Sequence, residues 1–223
     1  MKKNIFFLAI FFSFLCSCTS YIKVTRTVTK TQNVPYTINQ VGDFTSREVI
    51  DANVIVRSLN DADAGFTRSK IEKVNIQSIS VGALIGSGNT AQTLQLGATI
   101  QTSQLGSETL LNDSKVIQIQ SSTAVDILSA VGNVTGLEKN ITLHNALDLI
   151  NTGGATKLSQ AIQNNLSILN SNDNRIAITL NGKVPAKQRL VMNLTLQYTV
   201  TVTYSTCEET GIPFLGATEP CFR

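Results

Sequence analysis

The amino-acid sequence predicts a mainly β or α+β domain, an antiparallel β-sandwich-like architecture with two short helices inserted near residues 142–168. Three observations lead there. One long run near the C-terminus alternates apolar and polar residues with period two. Several shorter runs do the same, separated by turn-forming residues. A single stretch between them changes to the helical period.

The long run carries Leu190, Met192, Leu194, Leu196, Tyr198, Val200, Val202 and Tyr204 at every second position, with Asn193, Thr195, Gln197, Thr199, Thr201 and Thr203 between them. Side chains of a strand point alternately to opposite faces, so this pattern implies one face in the core and one in water. At roughly 3.3 Å per residue the run spans about 50 Å, long enough that a bulge or bend is expected. Upstream, Ile176, Ile178 and Leu180 alternate with Ala177 and Thr179, and Asn181-Gly182 opens a short connection containing Pro185. Two alternating runs so joined predict an antiparallel hairpin. Leu94, Leu96, Ala98 and Ile100 form another clean run, and weaker candidates cover residues 23–31, 34–41, 49–59, 71–81 and 116–120. Residues 21–31, rich in Thr and Lys, read either as an edge strand or as a spacer to a membrane. The helical stretch places Leu143, Ala146, Leu147 and Ile150 on one face, with Thr142 to cap and Gly153-Gly154 to stop. Leu158, Ala161, Ile162 and Leu166 continue the spacing after Thr156. These two helices are expected to cover an end or face of the sheet.

The chain opens with Lys2 and Lys3 and an apolar run from Ile5 to Leu15, closed by Cys16, Ser17, Cys18, Thr19 and Ser20. A charged start followed by a short apolar stretch is the layout of an export signal, and eleven residues fall short of the about 20 that cross a bilayer as a helix. Leu15-Cys16-Ser17-Cys18 resembles the lipobox of bacterial lipoproteins, in which an aliphatic residue and two small ones precede a cysteine that is acylated before cleavage. The resemblance covers residues 1–18 and implies that residues 1–17 are removed and that Cys18 becomes a lipidated N-terminus. It implies an anchor and an address, not an activity. The resemblance also implies a location: in such lipoproteins an Asp just after the lipidated cysteine or an early acidic cluster redirects the protein, neither follows Cys18, and in a cell with an outer membrane its periplasmic face is the expected location.

Removing the leader leaves 206 residues, residues 18–223, enough for one domain with a substantial core. Loss of Lys2 and Lys3 takes the basic count from 18 to 16 against 15 acidic residues, a balance near +1. No Lys/Arg stripe marks a nucleic-acid binder. Charged residues make up only 15% of the chain, so the solvent face must consist mainly of Thr, Asn, Gln and Ser. The absence of Trp argues against a sugar cleft built on aromatic platforms.

The motifs that carry chemistry are thin. Gly86-Ser87-Gly88-Asn89-Thr90-Ala91 matches a dinucleotide fingerprint, but the motif requires a following helix, and residues 93–100 alternate as a strand, so it reads as a hairpin turn. His144, the only histidine, has no nucleophile elbow to serve and reads as a helix-surface residue. One His and two distant cysteines do not make a zinc site. Asp61-Ala62-Asp63 and Asn172-Asp173-Asn174 lack the full calcium-loop pattern and read as polar turns. The sequons at Asn133, Asn140, Asn165 and Asn193 read as Thr/Asn-rich surface. Cys207 and Cys221 are expected to form a disulfide that closes a C-terminal tail containing Gly211, Pro213, Gly216 and Pro220, since export puts them where disulfides persist. No catalytic residue, metal or cofactor is nominated. The sequence therefore points to a non-enzymatic envelope module that binds other envelope proteins or contributes structurally. A carrier of lipid or another apolar ligand is the alternative, and an exported hydrolase a third reading.

Overall fold

A computed structural model describes residues 20–63, 71–103, 106–119, 124–131, 142–144, 151–167 and 175–210. In chain order the elements are β1 (Ser20–Val41), β2 (Phe44–Asp51), α1 (Ala52–Ala62), β3 (Ile71–Ile85), β4 (Thr93–Thr102), β5 (Gly106–Leu111), β6 (Val116–Gln118), β7 (Ala124–Val131), β8 (Thr142–His144), α2 (Thr152–Ser167), β9 (Arg175–Lys183) and β10 (Arg189–Thr210). Two antiparallel sheets result, one in the order β1-β10-β3-β7-β8 and one in the order β2-β9-β4-β5, with β6 also on β4.

The long alternating run is an interior strand of the first sheet, between β1 and β3. Its even-numbered residues from Leu190 to Tyr204 are all buried, while Asn193, Thr195 and Gln197 are exposed. On one side β10 pairs with β1 in unbroken register from Ser20↔Thr210 to Val41↔Arg189. Residues 21–31 and 34–41 are thus one edge strand, which decides the strand-or-spacer question in favour of a strand. On its other side β10 meets β3, and the register slips between Thr199 and Val200, where Gln77 is the extra residue. That bulge absorbs the length expected to need a bend. The polar face explains the composition. Thr29 bonds Thr201 and Thr31 bonds Thr199, each at 2.9 Å, and Gln197 donates to Asn33 at 2.8 Å, all between residues directly opposite one another. Such neutral cross-strand pairs contribute about 0.2–1 kcal/mol each without charge.

Two expected hairpins are corrected. β9 and β10 do not pair: Asn181 and Gly182 stay inside β9, opposite Thr45 and Phe44 on one side and Gly97 and Leu96 on the other. A Cβ on Gly182 would lie 1.8 Å from the Phe44 ring, so the glycine is there to let the ring cross the strand. Residues 86–92 do turn, with Asn89 N–H on the Gly86 carbonyl and Gly88 at φ +83°, but they lead from β3 in one sheet to β4 in the other. The links between β1 and β2, β3 and β4, and β9 and β10 all cross between sheets at the same end. They are tied together there by Gly42 N–H on the Gln188 carbonyl, Val184 N–H on the Asp43 carboxylate, and Thr90 and Ala91 N–H on the Arg189 carbonyl.

Both helices differ from expectation in position. The Thr142 cap and the first predicted helix are not borne out at residues 142–144, which form β8 on the edge of β7; residues 145–150 lie outside the described residues. The second helix has the predicted face, with Leu158, Ala161, Ile162 and Leu166 buried. It runs through Gly153-Gly154, however, because Asn151 supplies the cap by accepting from Gly154 N–H at 3.2 Å. Residues 49–59, expected to be strand, divide into the end of β2 and α1. Asp51 caps α1 by accepting from Asn53 N–H at 2.8 Å, and Ile55 and Leu59, one turn apart, are fully buried. Burial of that face outweighs the β preference of Val54-Ile55-Val56. Helix α2 packs on β3 of one sheet and on β4, β5 and β9 of the other, with Ser159 Oγ donating to the Val74 carbonyl. Where the helices are not interposed the sheets meet directly, and the Tyr36 hydroxyl of the first donates to the Ile178 carbonyl of the second at 3.2 Å.

Candidate functional site

The residues that the sequence singled out are scattered through the fold. His144 is on β8 opposite Ser129. Asp61 is in the last turn of α1, and Asp63 caps the helix with its N–H on the Leu59 carbonyl. Asn193 is exposed on β10 and Asn165 is in α2, while Asn133, Asn140 and residues 172–174 lie outside the described residues. Cys207 is on β10 opposite Lys23. Cys16, Cys18 and Cys221 lie outside the described residues. Among the described residues no three His, Cys, Asp or Glu side chains are grouped as metal ligands.

The structure instead draws attention to the seam between the two sheets where edge strands β1 and β2 face each other. A cleft of about 190 Å³ opens there, lined by Gln32 and Asn33 of β1, Glu48 and Asp51 of β2, Val54 of α1 and, from β10, Tyr198. Alternation on β2 puts Phe44, Ser46, Glu48 and Ile50 on one face; along it Phe44 is buried, whereas Glu48 is exposed at the rim of the cleft. Tyr198 is fully buried and its hydroxyl has no hydrogen-bond partner among the described residues. Burial holds this phenol well above its ordinary titration range. Tyr36 is shifted the same way, first by burial and then by the charge of Glu48. Gln32 Nε2 donates to Ser58 Oγ at 3.3 Å and connects the cleft to α1. None of these residues was legible as a site in the sequence, because Tyr198 is one of eight equivalent core positions there and Glu48 lies outside any motif.

A second polar cluster lies toward the Ser20 end of β1. Arg26 bonds Glu208 and approaches Asp63 at 4.0 Å, the Tyr204 hydroxyl donates to Asp63, and Lys23 pairs with Glu72 at 3.0 Å. Desolvation, and then the Asp63 carboxylate, push the Tyr204 phenol up to about 12. These opposite charges pair across β1, β10, β3 and the end of α1 and knit that end of the fold. Their exposed pairs are worth little individually. On the outer face of the second sheet, Arg47 and Arg175 flank a hollow of about 300 Å³ over Ala177.

No family model matches the chain, and no curated protein matches it in sequence. Solved structures with a similar course of chain include the decameric BFDV capsid protein, at 10% identity over 81% of this chain and 99% of that one, with a TM-score of 0.35. Turnip yellow mosaic virus at 100 K aligns at 10% identity over 85% and 99%, with a TM-score of 0.34. Likeness at this level says nothing of what the chain does.

Proposed function

We propose that the chain is an envelope lipoprotein, held to a membrane by lipid on Cys18, that works by binding or supporting other envelope proteins and not by catalysis. The observation that carries this reading is the start of β1 at Ser20, two residues beyond Cys18. Pairing with β10 continues from there for 22 residues without a break. An acyl anchor on Cys18 would therefore be joined to a paired strand with almost no spacer, and the tied end at Gly42 would stand about 70 Å along the ribbon from it. That suits a protein that presents a surface at a set distance from the bilayer. The periplasmic face of an outer membrane is the proposed location. The carrier reading needs room between the sheets, and there α1 and α2 bury Ile55, Leu59, Leu158 and Ile162 instead.

Metabolic labelling with a fatty acid tests the anchor. Label is expected on the wild type and on Cys16→Ser and absent from Cys18→Ser; label retained on Cys18→Ser would sink the reading. Cross-linking in the native envelope is expected to capture protein partners, and turnover of any substrate that depends on a described carboxylate would argue for an enzyme instead.

The disulfide between Cys207 and Cys221 belongs to the same proposal. Cys207 stands near the end of β10, so a bond to Cys221 would fold the last residues back onto the strand end, contributing about 3 kcal/mol in a chain-entropy account of a loop of this length. Protein taken from the envelope without reductant should resist alkylation at both positions. Two readily alkylated thiols would show the tail to be open.

A further inference from the structure

We propose that the outer edge of β1 is an interface between two copies of this chain, with Thr25–Asn33 of one pairing antiparallel to the same segment of the other about a two-fold axis at Thr29. Two bonds at the tied end set the phase of the ladder. Gly42 N–H meets the Gln188 carbonyl one step beyond Val41↔Arg189, so residues 42 and 188 are a hydrogen-bonded pair. Such pairs alternate with non-bonded ones, and the register is unbroken, so the even-numbered residues of β1 turn their N–H and C=O toward β10. The odd-numbered residues turn theirs outward. Gly86 N–H on the Val191 carbonyl fixes the same phase from the β3 side of β10. Pro35 agrees with it, since an odd position is where a missing N–H costs the β10 ladder nothing. Among the described residues no strand pairs with this outer edge, and no backbone bond from a turn or loop reaches Thr25, Thr27, Thr29, Thr31 or Asn33. Helix α1 meets β1 through the side-chain bond between Gln32 and Ser58 and takes none of these backbone groups.

A two-fold interface needs a patch that matches itself, and Thr29 is the midpoint of this one. Lys23, held to Glu72 at 3.0 Å, and Pro35, without an N–H, stand at equal distances on either side of it. Centred there, Thr29 faces Thr29, Thr27 faces Thr31 and Thr25 faces Asn33. All are outward positions, so each facing pair can exchange two backbone bonds. Their exposed side chains lie on the polar face, where Thr29 and Thr31 already bond Thr201 and Thr199 of β10. Charge favours the same centre over its neighbours. With the axis at Thr29, Arg26 faces Gln32 and Lys30 faces Val28. An axis at Val28 sets Arg26 against Lys30, and an axis at Lys30 sets the two Lys30 side chains against each other; like charges directly opposite destabilise a sheet. β1 carries no Asp or Glu to relieve them. A purely protective reading, in which Pro35 and half-buried Lys30 keep other strands away, predicts a monomer instead. On the lipoprotein reading the two anchors would lie at opposite ends of the joined ribbon and hold its sheet at one height above the bilayer, but the pairing itself needs no lipid.

The test uses the full-length chain, in its membrane and after detergent extraction. Thr29→Cys and Thr25→Cys are both exposed substitutions on the polar face. Across the proposed axis the two Cα atoms of residue 29 lie about 5.5 Å apart, within disulfide reach, whereas residue 25 faces residue 33 and stands roughly 26 Å from its own copy. Under mild oxidation a 29–29 cross-link, located by peptide mapping, is expected to form roughly tenfold faster than a 25–25 cross-link. The extracted wild type is expected to sediment as a dimer. Thr31→Pro removes one outward N–H and, like Pro35, no bond to β10, so it should sediment as a monomer with the melting temperature of the wild type. A monomeric wild type, equal cross-linking at residues 29 and 25, or a dimer retained by folded Thr31→Pro overturns the proposal. So does a Thr29→Cys cross-link to a different protein alone, which would give the edge another partner. If Thr31→Pro fails to fold, the contrast between residues 29 and 25 still decides. Each readout is repeated on a Cys18→Ser background, so the interface and the anchor can fail separately.

Discussion

Leu194→Asp is expected to abolish the cooperative melting transition, whereas Thr195→Asp, one residue away on the same strand, should leave the fold intact. Leu194 is 1% exposed on an interior strand of the first sheet, between Tyr36 of β1 and Ala83 of β3. The substitution removes a buried aliphatic side chain, worth about 2–5 kcal/mol, and sets an unpaired carboxylate in its place, costing several more. Together these rival the whole stability of a domain, about 5–15 kcal/mol. Thr195 is exposed, with Pro35 and Gly82 as its neighbours across the strands. A carboxylate there keeps its water and loses only β preference, about 1 kcal/mol at most. Thermal melts followed by circular dichroism decide the matter: equal losses for the two variants would mean that the outer face is also covered.

The second large effect runs against local propensity. Gly154 lies in the first turn of α2, where replacement by Ala would ordinarily stabilise a helix by up to about 1 kcal/mol. In this fold a Cβ at residue 154 would sit 2.0 Å from the Thr109 carbonyl oxygen and 2.6 Å from Leu110 Cα, both backbone atoms of β5. Backbone of a paired strand cannot swing aside as a side chain can. We therefore expect Gly154→Ala to destabilise by about 3 kcal/mol, the upper part of the usual overpacking range. For a chain of this size that lowers Tm by roughly 6–12 °C. Gly153→Ala is the matched comparison: its Cβ would meet only Asn151 Oδ1, at 3.1 Å, a side-chain atom. A Gly154→Ala protein as stable as wild type would show that α2 does not press on β5 as described.

Whatever depends on the faces of a single element was legible from the chain itself. The alternation of residues 190–204 identifies the buried face of β10 because a strand has two faces, and water selects between them residue by residue. The spacing of Leu158, Ala161, Ile162 and Leu166 identifies the inner face of α2 by the same logic at the helical period. The uncharged polar face is also written locally, since Thr, Asn and Gln must appear wherever a strand is wet and charge is scarce.

Pairing was not legible, because Asn181-Gly182 and residues 86–90 carry turn chemistry that does not say which sheet the next strand joins. Gly182 belongs to a strand because Phe44, distant in sequence, lays its ring across it. Gly154 belongs to a helix because β5 needs that close approach. Within residues 52–62 only Val54-Ile55-Val56 favour strand, and the segment becomes α1 because Asp51 caps it and burial of Ile55 and Leu59 rewards the helical face. The seam at Tyr198 is the extreme case. Its parts come from β1, β2, α1 and β10, and neither a cleft nor an orphan hydroxyl exists until the two sheets have been set against each other. Local pattern determined which residues of this protein are inside; contacts between residues far apart in the chain decided which elements are neighbours, because burial of a shared face is an energy that no single segment contains.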